Sequence, residues 1–315
     1  MSAGGSASAV AAHFGPLAHT VAIPLAELRV QAWLESASEA PRAGYERVFD
    51  GVPGDIPEWS AVMAAIPEDL RPTSLPQRLV IDSNFSAADG LAWDVSLKAA
   101  LVRAIVRFAA GRQAYWRIPD RVLRDAVLRA DADSGAWPRP HLADAALRGF
   151  VVFCSDVHHP WLHSYRAPGW HAAVLRIEVP WSDAPWKSVL AMQVPYRKVI
   201  REAGRLIELQ SGFATGDGAA IRRAGMDWLK DAELGRHIPG FFPAREAAWE
   251  AGALNVGLIG QQPSLMILAE HTDALQQAVA AATDAFAAHT TRVSTLFSAL
   301  RAPRPDLGPT GDSDG

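Results

Sequence analysis

The feature that most constrains the fold of this chain is a predicted strand, a loop of small residues and a predicted helix, which follow one another between residues 79 and 108. Residues 79–81 are the apolar run Leu-Val-Ile, which is typical of a buried strand. From Val95 onward, apolar residues recur at helical spacing up to Phe108. The loop between them holds Gly90 and three alanines. Unpaired N–H groups at a helix N-terminus attract anions, so the arrangement predicts either an anion-binding loop or an ordinary turn into a core helix.

Charged and aromatic residues stand at the start of this predicted helix. Asp94 is predicted to be its N-cap, and Lys98 follows four residues later, so the two side chains would share one helix face. One interpretation is an ordinary surface pair. The other is an ammonium group held at the loop, where it could neutralise an anionic leaving group. Trp93 likewise is interpreted either as a core side chain or as an aromatic wall of a ligand site.

Composition bounds the class of protein. The chain has 315 residues and a formal net charge of −4, so it can bury a sizeable core and offers no general attraction to nucleic acid or anionic membrane. The single cysteine, Cys154, excludes an internal disulfide and is typical of a reducing compartment. No basic leader with an apolar core opens the chain, and no apolar run approaches membrane-spanning length. We expect a cytoplasmic protein with a small-molecule substrate and no nucleic-acid or membrane partner.

Apolar periodicity predicts a mixed α+β protein. Strands are predicted at 21–34, 150–154, 174–179, 254–259 and 264–268, and helices at 59–66, 94–111, 118–132, 195–211, 217–232, 243–252 and 272–288. Pro24 predicts that the first strand starts as an edge or a lead-in. Residues 1–8 are predicted to fray, residues 35–60 to form loops and residues 302–315 to be disordered. A shift in composition near 156–173 predicts two domains, 1–165 and 166–301.

A histidine-rich segment lies at this predicted boundary. It contains His158, His159, His163 and His171 in a stretch that starts at Asp156. Imidazole and carboxylate ligands suit zinc or iron. Pro160, however, interrupts any helix that would place the histidines on one face. We therefore interpret the segment as a polar loop that could line a cleft, and we assign no metal site.

Two blocks of sequence resemble a known family. Residues 238–264 are similar to the C-terminal part of homoserine kinases, in which a helix ends in Gly-Ala and a strand leads into a Ser-Gly-Ala-Gly-Pro-Ser loop. Here that loop reads Ile-Gly-Gln-Gln-Pro-Ser over residues 259–264. The loop at 84–96 resembles the second motif of the GHMP kinase superfamily (galacto-, homoserine, mevalonate and phosphomevalonate kinases). Its residue pattern is most similar to that of the diphosphomevalonate decarboxylase branch, Asn-Phe-Pro-Thr-Ala-Ala-Gly-Leu-Ala-Ser-Ser-Ala.

The resemblance implies a fold and a site. The implied fold is a two-domain GHMP-kinase-like α+β fold, with an N-terminal S5-like α/β domain and a C-terminal α+β sandwich domain. Independently of the resemblance, the helix start and the ammonium beside it predict Asp94 and Lys98 as the catalytic residues. The implied substrate-binding residues are Asn84, Ser86, Asp89, Gly90, Trp93, Gly260, Gln261, Gln262 and Ser264.

Departures from the family motifs bear on whether the chain can bind ATP. The two motif serines, which contact phosphate and magnesium, fall on Trp93 and Asp94, and two long amides replace small residues in the late loop. A tryptophan would occupy volume that a triphosphate needs. A carboxylate 4 Å from a phosphate charge costs about 4 kcal/mol at an effective dielectric of 20 when no cation compensates it. We therefore expect standard ATP binding to be lost, with no cofactor.

Three hypotheses follow. The first is an enzyme of secondary metabolism that takes an amino-acid-like or pre-activated phosphate or sulfate ester and releases the anion by elimination or intramolecular displacement. The second is a homoserine-kinase-type kinase that uses Mg·ATP, with Asp94 or Asp89 on magnesium. The third is a non-catalytic subunit in a homo- or hetero-oligomer with a protein partner. Exposure of Trp228, Trp249 or the Phe241-Phe242 pair would favour this third hypothesis.

Overall fold

A computed structural model describes ten strands and nine α-helices within residues 3–14, 20–35, 46–50, 57–73, 78–86, 89–132, 139–154, 161–179, 194–260 and 263–300. The strands are β1 (Ala3–Phe14), β2 (Thr20–Glu35), β3 (Glu46–Asp50), β4 (Arg78–Ser83), β5 (Val151–Cys154), β6 (Leu162–Tyr165), β7 (His171–Glu178), β8 (Asn255–Ile259), β9 (Ser264–Ala269) and β10 (Arg292–Ala299). The helices are α1 (Pro57–Ala65), α2 (Trp93–Tyr115), α3 (Asp120–Ala132), α4 (Pro140–Arg148), α5 (Tyr196–Thr215), α6 (Gly218–Ala224), α7 (Lys230–Leu234), α8 (Phe241–Glu250) and α9 (Thr272–Ala288).

The first sheet is antiparallel and is organised around β2. Its order is β3-β4-β2-β5-β6, and β1 pairs with β2 along most of its length. Alternate residues of β2, from Leu28 to Leu34, are buried, which is why the period-two pattern was readable in the sequence. Helices α1 to α4 contribute side chains to the same core. The most buried of them is α2, whose residues 95–106 all lie in the interior.

The second sheet is also antiparallel and has the order β10-β7-β9-β8. Strand β9 is buried along its whole length. A separate apolar core joins this sheet to helices α8 and α9, with Phe241 and Phe286 fully buried at its centre. Fully buried aromatic side chains contribute a large share of core stabilisation, so α8 and α9 are fixed to the sheet.

Strands β2 and β10 connect the two sheets. An isolated bridge pairs Leu25 with Leu300. The Glu27 carboxylate accepts hydrogen bonds of 2.6 Å from the Ser298 hydroxyl and from the Ala299 N–H. Because both sheets are tied at this point, the loop that follows β4 is held at the junction between them.

Several sequence predictions about strands are wrong. Residues 3–8 do not fray, because Ala3 begins β1 and the longer strand β2 supplies hydrogen-bond partners for their backbone. Their small side chains have low strand propensity, which hid the strand. Strand β3 lies within the predicted loop 35–60, and β6 and β10 were not predicted. Pro24 lies inside β2, and the strand's first residues pair with both β1 and β5, so they are not an edge.

The helix predictions hold with two changes. Gly111, at φ +70°, interrupts the helix that begins at Trp93. The helix predicted at 217–232 is two helices, α6 and α7, because Gly225 adopts φ +65° between them. The other predicted helices and strands are confirmed to within a few residues at each end. Cys154 is buried, as the sequence indicated. Among the described residues no helix is both long and apolar enough to cross a membrane. The 302–315 tail lies outside the described residues, and the domain boundary stays a prediction.

Candidate functional site

Two glycine-containing loops from distant parts of the chain meet at the start of α2. Gly90 has φ +73° and Gly260 has φ +61°, a region that side chains disfavour. A Cβ atom added to Gly260 would lie 2.0 Å from the Gly90 carbonyl oxygen, and a Cβ on Gly90 would lie 2.7 Å from the Ser264 hydroxyl. Only glycine fits at this crossing. The structure therefore brings together Gly90, Gly260 and Ser264, three of the residues that the sequence assigned to one site.

Ser264 carries an unused hydroxyl at this crossing. The residue is fully buried, and its Oγ has no hydrogen-bond partner among the described residues. A buried hydroxyl without a partner costs free energy. Ser264 therefore lies at the contact between the two loops, beside Gly90, which precedes the start of α2 by three residues.

The start of α2 differs from the prediction. Ala92, not Asp94, is the N-cap, and no side chain caps the helix. Asp94 is the second helical residue. Its carboxylate accepts a 2.5 Å hydrogen bond from the Arg139 guanidinium, and its side chain is 42% exposed. The prediction of an Asp94 N-cap is therefore wrong, and the backbone N–H groups of the first turn have no side-chain cap.

Lys98 does not pair with Asp94. It is buried, and its Nζ donates a 2.8 Å hydrogen bond to Asp131 of α3. Arg139 donates to both oxygens of the same Asp131 carboxylate, at 2.5 and 2.9 Å. The site thus contains two carboxylates and two cations in the order Asp94, Arg139, Asp131 and Lys98. The predicted Asp94–Lys98 surface pair is wrong, because Lys98 points into the interior instead.

The paired charges keep Asp131 ionised. Burial by itself raises the pKa of this carboxyl, but the hydrogen bonds from Arg139 and Lys98 outweigh burial and hold the pKa below its usual value of 3.8. Burial lowers the pKa of the Arg139 guanidinium, and the two carboxylates more than reverse that effect. Asp131 and Arg139 are therefore both charged at neutral pH, and the Arg139 guanidinium lies against Asp94 as a compensating cation.

His141 lies beside this cluster on α4. It is 2% exposed, and neither ring nitrogen has a hydrogen-bond partner among the described residues. Burial, and after it the charge of Arg139, lowers the pKa of His141 to about 3. The ring is neutral at pH 7. Sequence reasoning missed His141, Arg139 and Asp131, although an aspartate on the apolar face of α3 and a lysine within the apolar run of α2 were available as signals.

The remaining residues of the 84–93 loop serve the loop itself. The Asp89 carboxylate accepts hydrogen bonds from the Ser86 N–H at 2.6 Å and the Ser86 hydroxyl at 3.0 Å. The Asn84 amide donates to the Glu27 carbonyl at 2.6 Å and accepts from the Arg29 N–H at 2.9 Å. Asn84 therefore extends the β2–β4 pairing, and Asp89 closes a turn.

Trp93 is a core side chain. Its Nε1 donates a 3.3 Å hydrogen bond to the Ser83 hydroxyl, and its ring packs on the first core. The expectation that this ring takes the volume of a phosphate group finds no support in these contacts. The expectation of an uncompensated carboxylate at Asp94 also fails, because Arg139 lies against it.

Other predicted features are absent from the site or lie outside the described residues. Gln261, Gln262, His158 and His159 fall outside them. His163 is exposed on β6, and within the described residues no group of three or more His, Cys, Asp or Glu side chains could hold a metal ion.

The aromatic residues that would have favoured a protein-partner role are mostly covered. Arg201 lies 4.5 Å over the Trp228 ring, and Arg222 and Arg245 lie 4.8 and 5.5 Å from the Trp249 ring. Phe241 is buried, and Phe242 is 39% exposed.

Solved structures with this fold define its class. A homoserine kinase from Cytophaga hutchinsonii superposes with a TM-score of 0.73 at 17% identity and covers 96% of both chains. The L. major mevalonate kinase superposes with a TM-score of 0.64 at 14% identity, over 95% of this chain and 96% of that one. These identities establish the fold alone: a mixed α+β fold shared by small-molecule kinases.

Sequence relatives add to this class. A homoserine kinase from Pyrobaculum neutrophilum is 30% identical over 195 residues, which are 61% of this chain and 64% of that protein. One from Methanocella arvoryzae is 22% identical over 83% of both chains. The matched segment thus spans just under two thirds of the length of the Pyrobaculum relative. No protein-family model matches the chain. These relatives and structural neighbours confirm the resemblance to the GHMP kinase superfamily that the sequence indicated.

Proposed function

We propose that this protein is an ATP-dependent kinase that phosphorylates the hydroxyl group of a small amino-acid-like substrate, in the manner of a homoserine kinase. The observation that carries the proposal is the convergence of Gly90, Gly260 and the uncapped start of α2 on one side of a charged cluster. The glycines let the two loops meet at the start of α2, and a helix N-terminus favours negative charge. The names of the sequence relatives support the choice of reaction.

In the proposed reaction the substrate hydroxyl oxygen bonds to the γ-phosphorus of ATP, the bond from that phosphorus to the bridging oxygen breaks, and ADP leaves with the electron pair. The hydroxyl proton is released to solvent or to the phosphoryl product. The chain supplies positioning and charge, which account for most of the catalysis in phosphoryl transfer. Arg139 contacts Asp94 in the first turn of α2, and its side chain is 17% exposed, so it is our candidate for stabilising phosphate charge.

One carboxylate of the cluster could contact the magnesium ion that such kinases use with ATP. Asp94 and Asp131 both bind the same nitrogen of Arg139, so the position between them holds a guanidinium, and a metal ion could reach only the exposed side of Asp94. Magnesium is commonly held by one or two carboxylates together with substrate phosphates. Asp94, the more exposed of the two, would hold it, with Asp131 behind. A bound magnesium ion would neutralise charge on the phosphates. Asp89, the other candidate from the sequence, is engaged by Ser86.

The elimination hypothesis has less support. It required the Lys98 ammonium to meet a departing anion, but Lys98 is 5% exposed and is bonded to Asp131. Its second premise was that Trp93 and Asp94 prevent ATP binding. That premise is weakened, because Trp93 bonds to Ser83 and Asp94 bonds to Arg139. No observation favours elimination over phosphoryl transfer.

A thermal shift followed by a turnover assay tests the proposal. At 100 times its dissociation constant, Mg·ATP is expected to stabilise the protein by about 2.7 kcal/mol. ADP release is then measured with L-homoserine, L-threonine and L-serine. Asp94→Asn is expected to lower kcat by about 100-fold. The matched control is Asp125→Asn, an exposed aspartate on α3 that is expected to retain activity. Absence of an ATP-induced shift, or wild-type turnover in Asp94→Asn, would contradict the proposal.

A further inference from the structure

A buried lysine and a buried aspartate on α7 hold the outer edge of β8. The Lys230 ammonium donates a 2.6 Å hydrogen bond to the Leu258 carbonyl oxygen. The neighbouring Asp231 carboxylate accepts a 3.2 Å hydrogen bond from the Leu258 N–H. Both side chains are 1% exposed. Because β8 is the last strand in the order of the second sheet, these two groups take the place of a further strand at Leu258.

This attachment belongs to a larger set of buried charges. The Asp227 carboxylate precedes α7 and accepts hydrogen bonds from the Leu229 and Lys230 N–H groups, at 2.8 and 2.6 Å. Arg205 of α5 lies 3.6 Å from Asp227 and donates to Glu202 at 2.6 Å. Alternating charges therefore connect α5 to α7 and from there to β8. Such a connected network restrains its members, although the Asp231 Oδ2 atom has no hydrogen-bond partner among the described residues.

The electrostatics of the pair explain which substitutions the fold will accept. Burial, and after it the charge of Asp227, raises the pKa of Asp231 to about 7. The cations that face Asp231 are Lys230, Arg205 and Arg245 of α8. Burial lowers the pKa of Lys230. A protonated Asp231 has the shape and charge of asparagine, so Asp231→Asn preserves the acceptor for the Leu258 N–H and should fold.

The attached strand leads directly into the candidate site. Gly260 follows Leu258 by two residues and crosses Gly90 with no room even for a methyl group. A small shift of β8 would therefore move one of the two glycine loops against the other. We propose that Lys230 and Asp231 are positioning residues that set the Gly260 loop against the Gly90 loop, an inference that rests on the proposed function for its catalytic consequence. Neither side chain reaches a ligand, because both are buried behind β8.

Three variants of the full chain test this role. Asp231→Asn keeps the hydrogen bond to the Leu258 N–H. Lys230→Met/Asp231→Asn also removes the bond to the Leu258 carbonyl, without leaving Asp231 as an unpaired buried charge. Lys198→Met is the matched control, since Lys198 bonds to Glu233 of the same helix from a partly exposed position. Comparison of the double variant with Asp231→Asn isolates the lysine bond.

The first measurement is amide hydrogen exchange of the ligand-free protein, which does not depend on the reaction. In the double variant, exchange in peptides that cover 255–260 and 89–93 is expected to be about tenfold faster than in Asp231→Asn, because a buried charge-assisted bond is lost. The Lys198→Met control is expected to match the wild type. Equal protection in the double variant and Asp231→Asn would overturn the proposal, whatever the activity of the protein.

The second measurement is steady-state kinetics with Mg·ATP. The double variant is expected to raise the KM for ATP and to lower kcat/KM for ATP by about 10- to 100-fold, with the KM for the alcohol substrate unchanged. A loss confined to kcat, or a rise in both KM values, would argue against positioning of the nucleotide loops. If the wild-type protein has no kinase activity, the proposed function fails, and the exchange measurement still decides whether the pair positions the loops.

Discussion

The crossing of Gly90 and Gly260 makes a sharp prediction for the substitution Gly260→Ala. The added methyl group would lie 2.0 Å from the Gly90 carbonyl oxygen, which is backbone and cannot rotate away. Two costs add. An alanine at positive φ costs about 1–2 kcal/mol, and a methyl group forced into a filled site costs about 1–3 kcal/mol. We expect Gly260→Ala to lower the free energy of unfolding by about 2–5 kcal/mol.

Gly216→Ala provides the matched control. Gly216 ends α5 at φ +72° and ψ +23°, and an added Cβ would meet nothing within 4 Å. This variant carries the cost of positive φ without the clash. The entropy that alanine removes from the unfolded chain is the same in both variants and cancels in the comparison. The difference between them, about 1–3 kcal/mol, is therefore the cost of the crossing itself.

Urea unfolding followed by circular dichroism gives both free energies from the midpoint and the slope. The midpoint of Gly260→Ala is expected to fall well below that of Gly216→Ala, with a similar slope. If the two variants unfold at the same urea concentration, the loops are not in the close contact described, and the joint site of Gly90, Gly260 and Ser264 loses its basis.

Two further predictions concern side chains beside the site. His141→Leu should differ little from the wild type in unfolding free energy at pH 7.5. Because the folded pKa of about 3 lies below the usual 6.5, the stability that the neutral ring contributes is fully present only above pH 6.5. Below pH 6.5 the free energy of unfolding of the wild type should fall by up to about 1.4 kcal/mol per pH unit, and that of His141→Leu should change less with pH. Parallel pH dependences of the two free energies, from urea unfolding at pH 5, 6 and 7.5, would contradict this. Trp93→Phe should cost about 1 kcal/mol through loss of the bond to Ser83 and leave the Mg·ATP thermal shift unchanged; an altered shift would place the indole in the ligand site.

Local pattern was enough to predict much of the fold. The alternation of β2, the apolar periodicity of α2 and the strand–turn–strand pattern of β8 and β9 each identified a real element. β3 was missed because its two apolar residues, Val48 and Phe49, are too few to show an alternating pattern. β1 was missed because its small residues carry little strand signal, and it forms along the hydrogen-bond partners that β2 offers. A strand of that kind depends on its neighbours more than on its own sequence.

For the candidate site, local sequence was enough to identify the two loops and their glycines, since Gly90 and Gly260 stand where the chain turns at positive φ. It also carried the family resemblance. It could not determine which charges meet. Asp94 and Lys98 are four residues apart and were expected to pair, yet one bonds to Arg139 and the other to Asp131.

The pairing of these charges depends on how α2, α3 and the start of α4 pack, which no local sequence pattern reports. Lys98 lies on the buried face of α2, so its ammonium required a buried carboxylate, which α3 supplies. Arg139 then joins Asp131 to Asp94. Its charge compensates the Asp94 carboxylate, which the sequence analysis had expected to repel a phosphate group. Local spacing fixes which helix face a side chain occupies, but the cost of burying a charge fixes its partner.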